Sequence, residues 1–375
     1  MAVNPTYKVE LRLDGQLIGD VRSLATNLRW VRRRTMKGVD EITFTLNDKL
    51  FAEWCAERST TIEEMLRPLA LDCRIVRDGV PVLGGFLATM PGYSPNGTSA
   101  NLAMSFDGYL NYLAGVFIYP TATRSERAGE MISRWIQIAE NRAQGAGKGF
   151  GFTEGIIDDF PVITQTFDGY KSVKEAIADR SDNVTGAGKF DVYFHPDRTY
   201  DIISDANFGT EQDYVIQYPA RINGISAASI SASEVSGFAS KVIAIGAGET
   251  SADPEQSTVI STETMDDDAV RTYGYAETLL QDSSISRIDT LETHAETLLS
   301  KSINTRWDPI IKLLGRQISP TTTGEPFIWI GDSVIVQNDE DLTGSTSGIF
   351  RVQELDVAVS ATGAETITPT LERII

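Results

Sequence analysis

From residue 7 the chain alternates apolar and polar side chains: Tyr7, Val9, Leu11 and Leu13 are separated by Lys8, Glu10 and Arg12. A period of two marks a strand with one buried face. Asp14-Gly15 follows as a hairpin turn, because glycine accepts positive φ. The same alternation predicts strands over residues 41–46 and 71–77, the second closed by Asp78-Gly79. Strands continue over 82–90 and, after Pro95-Asn96-Gly97, over 100–106, while short helices interrupt at 49–55 and 61–66. Many short strands with glycine turns predict a small barrel over residues 1–118.

Near Tyr119-Pro120 the period changes. A helix is predicted over 124–144, with Ala128, Met131, Ile132, Trp135, Ile138 and Ala139 on one face, stopped by the glycines of 145–151. A second helix over 172–180 carries Val173, Ala176 and Ile177 inward, and strands follow at 189–194 and 199–203, with a turn at His195-Pro196-Asp197. Residues 119–217 thus read as an α+β insert. From 218 to 375 the pattern is β again, with strands at 223–232, 237–245, 271–280, 333–337, 349–360 and 365–372 and a small-residue loop at 247–254. One long helix, 286–303, interrupts them with Ile288, Leu291, Ala295, Leu298 and Leu299 facing inward. The fold class is α+β, mainly β: two small β-barrel domains separated by an α+β insert.

Bulk composition fits this picture. The 375 residues are 41% hydrophobic and 23% charged, enough apolar material for real cores. The net charge is −19, from 33 basic and 52 acidic residues, and repels phosphate and anionic lipid, which disfavours tight DNA binding. DNA sliding past such a wall without sticking is compatible with it. Cys55 and Cys73 are too few for a disulfide framework or a four-thiolate zinc site, which points to folding in a reducing cytoplasm. Residues 1–8 carry no apolar run behind a basic start, and no stretch is long and apolar enough to span a bilayer, so neither a signal peptide nor stable membrane insertion is expected.

Candidate chemistry is sparse. The histidines are His195, in a turn, and His294, on a helix; a nucleophilic triad needs one of them beside a Ser or Cys. Gly344-Ser345-Thr346-Ser347-Gly348 has Thr346 where a nucleophile elbow needs Ser. Gly147-Lys148 and Gly188-Lys189 lack both the following Ser or Thr and the earlier glycine of a phosphate loop, those places holding Gly149, Phe190, Arg142 and Asn183. Gly246-Ala247-Gly248 lacks the third glycine of a dinucleotide fingerprint and reads as loop. Asp339-Glu340-Asp341 opens like a calcium loop, but its twelfth position is Phe350, not a bidentate Glu. Asp266-Asp267-Asp268 reads as a solvated turn that could also line a channel. No catalytic, cofactor-binding or metal residue is assigned, and no cofactor is expected. Arg29, Arg32, Arg33 and Arg34 form the one basic run; on a strand Arg32 and Arg34 share a face that Arg33 opposes. They read either as an exposed strand or as an ion-pairing surface for an acidic neighbouring subunit.

The order of the parts resembles the hub proteins of long-tailed phages, both siphophage tail-tip proteins and the contractile-tail baseplate hub. Three stretches carry the resemblance: Val39-Asp40-Glu41-Ile42-Thr43-Phe44-Thr45-Leu46 with Ile75 through Phe86 and Phe106-Asp107-Gly108-Tyr109; the insert pattern Ser172-Val173-Lys174-Glu175-Ala176-Ile177; and the closing Ile330-Gly331-Asp332-Ser333-Val334-Ile335-Val336 with Gly348-Ile349-Phe350-Arg351-Val352. The resemblance implies a homotrimeric virion structural protein, not an enzyme, whose six barrels adapt a sixfold tail tube to a threefold tip and gate DNA passage during ejection. It implies assembly in the host bacterial cytoplasm and a place at the tail tip. The implied partners are the distal tail protein ring, the C-terminus of the tape-measure protein, receptor-binding or tail-fibre proteins, and phage DNA in transit. Relatives often carry a C-terminal lytic or receptor-binding extension, and none is expected here, so no lysin activity is expected. A tail-associated cell-wall hydrolase and a distal-tail or carbohydrate-binding tip protein are the alternative readings.

Overall fold

The computed structural model describes residues 4–91, 101–119, 121–167, 171–183, 189–219, 225–234, 238–249, 258–281, 285, 287–303, 307–314, 328–340 and 346–374. Two compact units divide the chain: residues 1–231 with 309–375, and residues 232–308.

The first unit is organised by one sheet of thirteen strands. In spatial order it runs Gln16–Asp20, Tyr7–Leu13, Leu71–Arg77, Val80–Leu87, Asn101–Gly108, Glu41–Asn47, Thr26–Arg33, Gly348–Val359, Ser333–Asn338, Glu211–Tyr218, Ile225–Glu234, Trp307–Leu314 and Glu365–Arg373. The molecule is mainly β, as expected. The two separate barrels are not seen as closed sheets of their own; the strands of both are paired into one.

The joint is the twelve-residue strand Gly348–Val359. Along one edge its first half pairs with Ser333–Asn338 and its second half with Thr26–Arg33; its other edge takes the final strand, Glu365–Arg373. An ordinary strand has two neighbours, and this one is long enough to serve three. The arrangement brings the first hundred residues and the last fifty into one core, with Trp30, Leu11, Phe44 and Phe106 beside Phe350, Leu355, Val357 and Ile367, all essentially inaccessible to water. A buried Leu or Phe side chain contributes roughly 1.5–3 kcal/mol.

The insert packs into a second core that it shares with Phe86, Tyr109, Tyr112, Leu113 and Ile118. The helix Ala128–Gly145 buries Met131, Ile132, Trp135, Ile136 and Ala139 against Phe152, Phe160 and Tyr200. Ile138, expected on the buried face, is about one-third exposed, and Ile136 takes the inner position. The helix also starts later than its apolar pattern suggests, because Thr121–Arg127 is a strand paired with Val162–Phe167. Pairing with a distant segment overrides a helical period that local residues also satisfy. Val173–Asn183 opens with a capping box: Ser172 Oγ accepts from Glu175 N–H, and the Glu175 carboxylate accepts from Ser172 N–H.

Residues 232–308 form a three-stranded sheet, Thr258–Met265, Lys241–Glu249 and Glu277–Gln281, backed by the helix Ile288–Ser302. Leu291, Ala295 and Leu299 pack on Val242 and Ala244, whereas Ile288, expected inside, is nearly half exposed. The strand expected over 271–280 divides into the helix Asp267–Tyr273 and the strand Glu277–Gln281, because the Asp266 carboxylate caps that helix by accepting from the N–H groups of Asp268 and Ala269. No described helix is long and apolar enough to cross a membrane.

Candidate functional site

The basic run lies on the strand Thr26–Arg33 and on Arg34, the residue before the 3-10 turn Thr35–Lys37; of the four side chains Arg29 is exposed, as an exposed strand would have it, and Arg32 and Arg34 are buried. All four arginines are engaged within the chain. Arg33 and Arg29 point to one face and meet the carboxylates of Glu354 and Asp356 on the shared strand, at 2.6 and 2.7 Å. The antiparallel register sets Glu354 opposite Arg33, so the pair forms across the strands. Arg32 and Arg34 point the other way and are buried against the insert. Arg34 pairs with Asp191, with Nε at 3.0 Å, and with Asp205, which Arg351 also reaches at 2.9 Å. Arg32 donates to the Phe194 carbonyl at 2.7 Å, and its guanidinium lies 4.0 Å over the Tyr193 ring. Beside it Asp40 sits 3.3 Å from Arg32 Nη1 at the wall of a cavity of about 20 Å³, room for one water. Thr35 completes the joint, donating its N–H to Asp191 and accepting from Val192 N–H.

A second clamp holds the insert at Asp72. Its carboxylate, almost fully buried, accepts from Tyr109 Oη at 2.9 Å and from Arg198 Nη2 at 2.9 Å. Arg198 also donates to the Phe150 carbonyl. Gly84 leaves the space that Tyr109 fills: a Cβ there would lie 2.6 Å from the tyrosine oxygen. A third clamp closes the sheet. Arg77 and Glu365, both wholly buried, pair at 2.8 Å, and Tyr7 Oη donates to the same carboxylate.

The electrostatics follow from burial. Removal from water disfavours the charged form of Arg34 and Arg77, but the adjacent carboxylates outweigh this and raise both guanidinium pKa values. Burial, with the neighbouring carboxylate, pushes the Tyr7 and Tyr109 hydroxyls up. Burial also raises Asp72 and Asp40 above the usual carboxylate range, against the pull of Arg198 and Arg32.

His195 Nε2 lies 2.7 Å from Asp201, which also accepts from Ile156 N–H, and the imidazole packs edge-on against Tyr193. His294 lies on the long helix of residues 232–308. Gly147-Lys148 ends the insert helix, with the N–H groups of Gly147 and Lys148 on the carbonyls of Gln144 and Ala143. Gly246-Ala247-Gly248 is not a loop but part of the strand Lys241–Glu249. Asp266–Asp268 is a helix start rather than a turn. Residues 92–100, 184–188, 250–257 and 341–345 lie outside the described residues, and with them Pro95-Asn96-Gly97, Gly188, Pro254, Asp341 of the acidic run, and Gly344-Ser345. Among the described residues no three His, Cys, Asp or Glu side chains cluster as metal ligands. Cys55 and Cys73 are free and buried, and burial pushes the Cys55 thiol up to about 11.

The cleft most suited to acid–base work, about 270 Å³, is lined by Gln137, Glu140, Glu154 and Tyr200. Glu140 is fully occupied there: its carboxylate accepts from the N–H groups of Phe150, Gly151 and Phe152 and from Gln144. Glu154 accepts from Ser133 and from Gln137. The Glu140 carboxylate thus holds the loop 150–152 in place with both oxygens, whereas Glu154 takes both of its hydrogen bonds on Oε2.

The Gly331-Asp332 pair belongs to the same kind of construction. Asp332 accepts from Thr210 N–H, Thr210 Oγ1 and Trp329 N–H, tying two distant strand entries together. Gly209, at φ +84°, faces Gly331 so closely that a Cβ would lie 2.1 Å from its carbonyl carbon.

This architecture is found in solved structures. A tail protein from Neisseria meningitidis MC58 matches with a TM-score of 0.63 and 13% identity, over 98% of this chain and 96% of that one. The fold is that of phage tail proteins. The 43 kDa tail protein of prophage MuSo2 from Shewanella oneidensis matches with a TM-score of 0.61 and 12% identity, over 98% of each chain. The prophage tail protein gp18 from Listeria monocytogenes EGD-e gives 0.54 and 10%, over 98% of this chain and 95% of that one. No family model and no curated protein matches the sequence. The tail-protein fold is thus kept here with hardly any of its sequence.

Proposed function

We propose that this chain is a structural subunit of a phage or prophage tail-tip or baseplate hub. It acts as a homotrimer that joins a sixfold tail tube to a threefold tip and gates DNA passage during ejection. The observation that carries this reading is the end-to-end fold match to tail proteins, over 98% of this chain. The connectivity supports it. Glu365–Arg373 pairs with both Trp307–Leu314 and Gly348–Val359, which chains six strands of the large sheet neighbour to neighbour without closing a separate barrel. In this reading those six strands and the seven around Trp30 and Phe106 correspond to the two hub barrels, so that three chains would bring six to the ring. The three buried clamps suit a part that transmits force as a rigid body.

In this reading the chain sits at the tail tip of the virion after assembly in the host cytoplasm. Its partners are the distal tail protein ring, the tape-measure C-terminus and receptor-binding or tail-fibre proteins, with phage DNA in transit. A trimer would carry 3 × −19, or −57, which keeps DNA from adhering to the lumen. The mechanism is conformational and makes or breaks no covalent bond. Native mass measurement with negative-stain electron microscopy on one sample tests it. A threefold ring of three chains, alone or when mixed with its distal-tail neighbour, is expected. A sixfold ring, or a monomer in both conditions, would overturn it.

A further inference from the structure

We propose that the exposed sheet face of residues 232–308 is a docking surface for an extended cationic segment of another protein, one that alternates basic and apolar side chains. The observation is independent of the hub reading. One face of the three-stranded sheet is covered by Leu291, Ala295 and Leu299. No other described strand or helix of residues 232–308 is paired with or packed in the core on the opposite face. Its register aligns Glu263, Ile243 and Leu279 in one row and Met265, Lys241 and Glu277 in the next. Leu279 is 57% exposed, Met265 50% and the adjoining Tyr275 59%, a concentration of apolar surface in water. Lys241 is held between Glu263, at 2.8 Å, and Glu277, at 3.5 Å, so the one cation in these rows is matched twice over by acids.

The strands Thr258–Met265 and Glu277–Gln281 are both edge strands, with no second neighbour among the described residues. An edge offers a row of N–H and C=O groups to an incoming strand, and the period of two presents alternate side chains of that strand to the face. Charge decides what that strand carries. Residues 232–308 hold 5 basic and 14 acidic residues, a net charge of −9 in 77 residues. That charge opposes a second copy of the same surface, nucleic acid and anionic lipid alike, and complements lysine or arginine. The apolar rows require the alternate positions of the partner to be apolar.

The test uses the full chain and a labelled ten-residue peptide of alternating lysine and valine, followed by fluorescence anisotropy. Saturable binding is expected, weakening by about tenfold or more between low and moderate salt. The corresponding peptide of alternating glutamate and valine should not bind. A Met265→Ser, Leu279→Ser double variant should lose binding by about tenfold, since both side chains are half-exposed and their removal leaves the core intact. Methyl resonances of Ile243, Ile245, Met265 and Leu279 should shift on titration of the wild-type chain, which keeps the test valid if the variant misfolds. Absence of saturable binding, equal binding by the double variant in its folded state, or methyl shifts confined to other residues would overturn the proposal.

Discussion

Residues 232–308 and the rest of the chain solve the same problem, holding strands together, by opposite means. The larger unit has exposed ion pairs too, but it buries three, Arg34 with Asp191, Arg77 with Glu365 and Arg198 with Asp72, each joining segments more than a hundred residues apart. The smaller unit leaves its ion pairs in water and relies on six buried apolar side chains, Val242, Ala244, Ile285, Leu291, Ala295 and Leu299. Charge divides the same way. The smaller unit has −9 in 77 residues, whereas the other 298 carry 28 basic and 38 acidic residues, or −10. A buried ion pair is costly to form and more costly to break, so it fixes geometry rather than adding net stability. An exposed pair fixes little and keeps a surface soluble and selective. The contrast assigns rigidity to the larger unit and recognition to the smaller.

The comparison breaks most sharply at Arg77 and Glu365. Glu365→Leu should cost roughly 3–5 kcal/mol by stranding a buried guanidinium, while Arg77→Met with Glu365→Leu should recover much of the loss. Urea denaturation of the single and double variants measures both, and a double variant as unstable as the single would mean the pair itself is net stabilising. Next in size is Leu291→Ala, which removes a fully buried side chain from a core of six and should cost about 2–4 kcal/mol. Its effect should stay local: hydrogen exchange should speed up in residues 232–308 and remain slow around Trp30.

A smaller, pH-dependent difference is expected at Asp205. Burial works against its charge, but the hydrogen bond and charge of Arg34, with Arg351, outweigh burial and lower its pKa. An unfolded aspartate titrates near 3.9, so the stabilisation is complete above about pH 5 and is lost as pH falls through the lower folded value. Acid denaturation of Asp205→Asn should therefore begin from lower stability at pH 7 and lose less on acidification than the wild-type chain. The smallest effect is predicted in the exposed unit. Lys241→Met removes two exposed ion pairs and should leave the denaturation midpoint unchanged, even as it makes the face more acidic and strengthens binding of the lysine–valine peptide.

Much of the fold was legible because it is written locally. The period of two over residues 7–13, the glycine turn at 14–15 and the start of the helix near Ser172 act within a few residues of one another, and each is found where expected. The alternation of the arginine run was also legible: Arg32 and Arg34 share a direction that Arg33 opposes. Its partners were not, because Asp191, Asp205, Glu354 and Asp356 lie some 160 to 330 residues away and nothing near them marks them as acceptors. The strand Thr121–Arg127 was hidden by an apolar pattern that a helix satisfies equally well, and the division of 271–280 turned on a cap at Asp266.

By itself, then, the sequence determined the mainly β class, the surplus of acid and the scarcity of histidine and cysteine, since these depend on composition and on short-range periodicity. The tertiary structure alone decided that one strand, Gly348–Val359, would serve three neighbours, that Arg32, Arg34 and Arg77 would be buried on distant partners, and that one sheet face would be left open. Each of those outcomes is a pairing between distant segments, and the free energy of such a pairing resides in neither segment until the two are brought together.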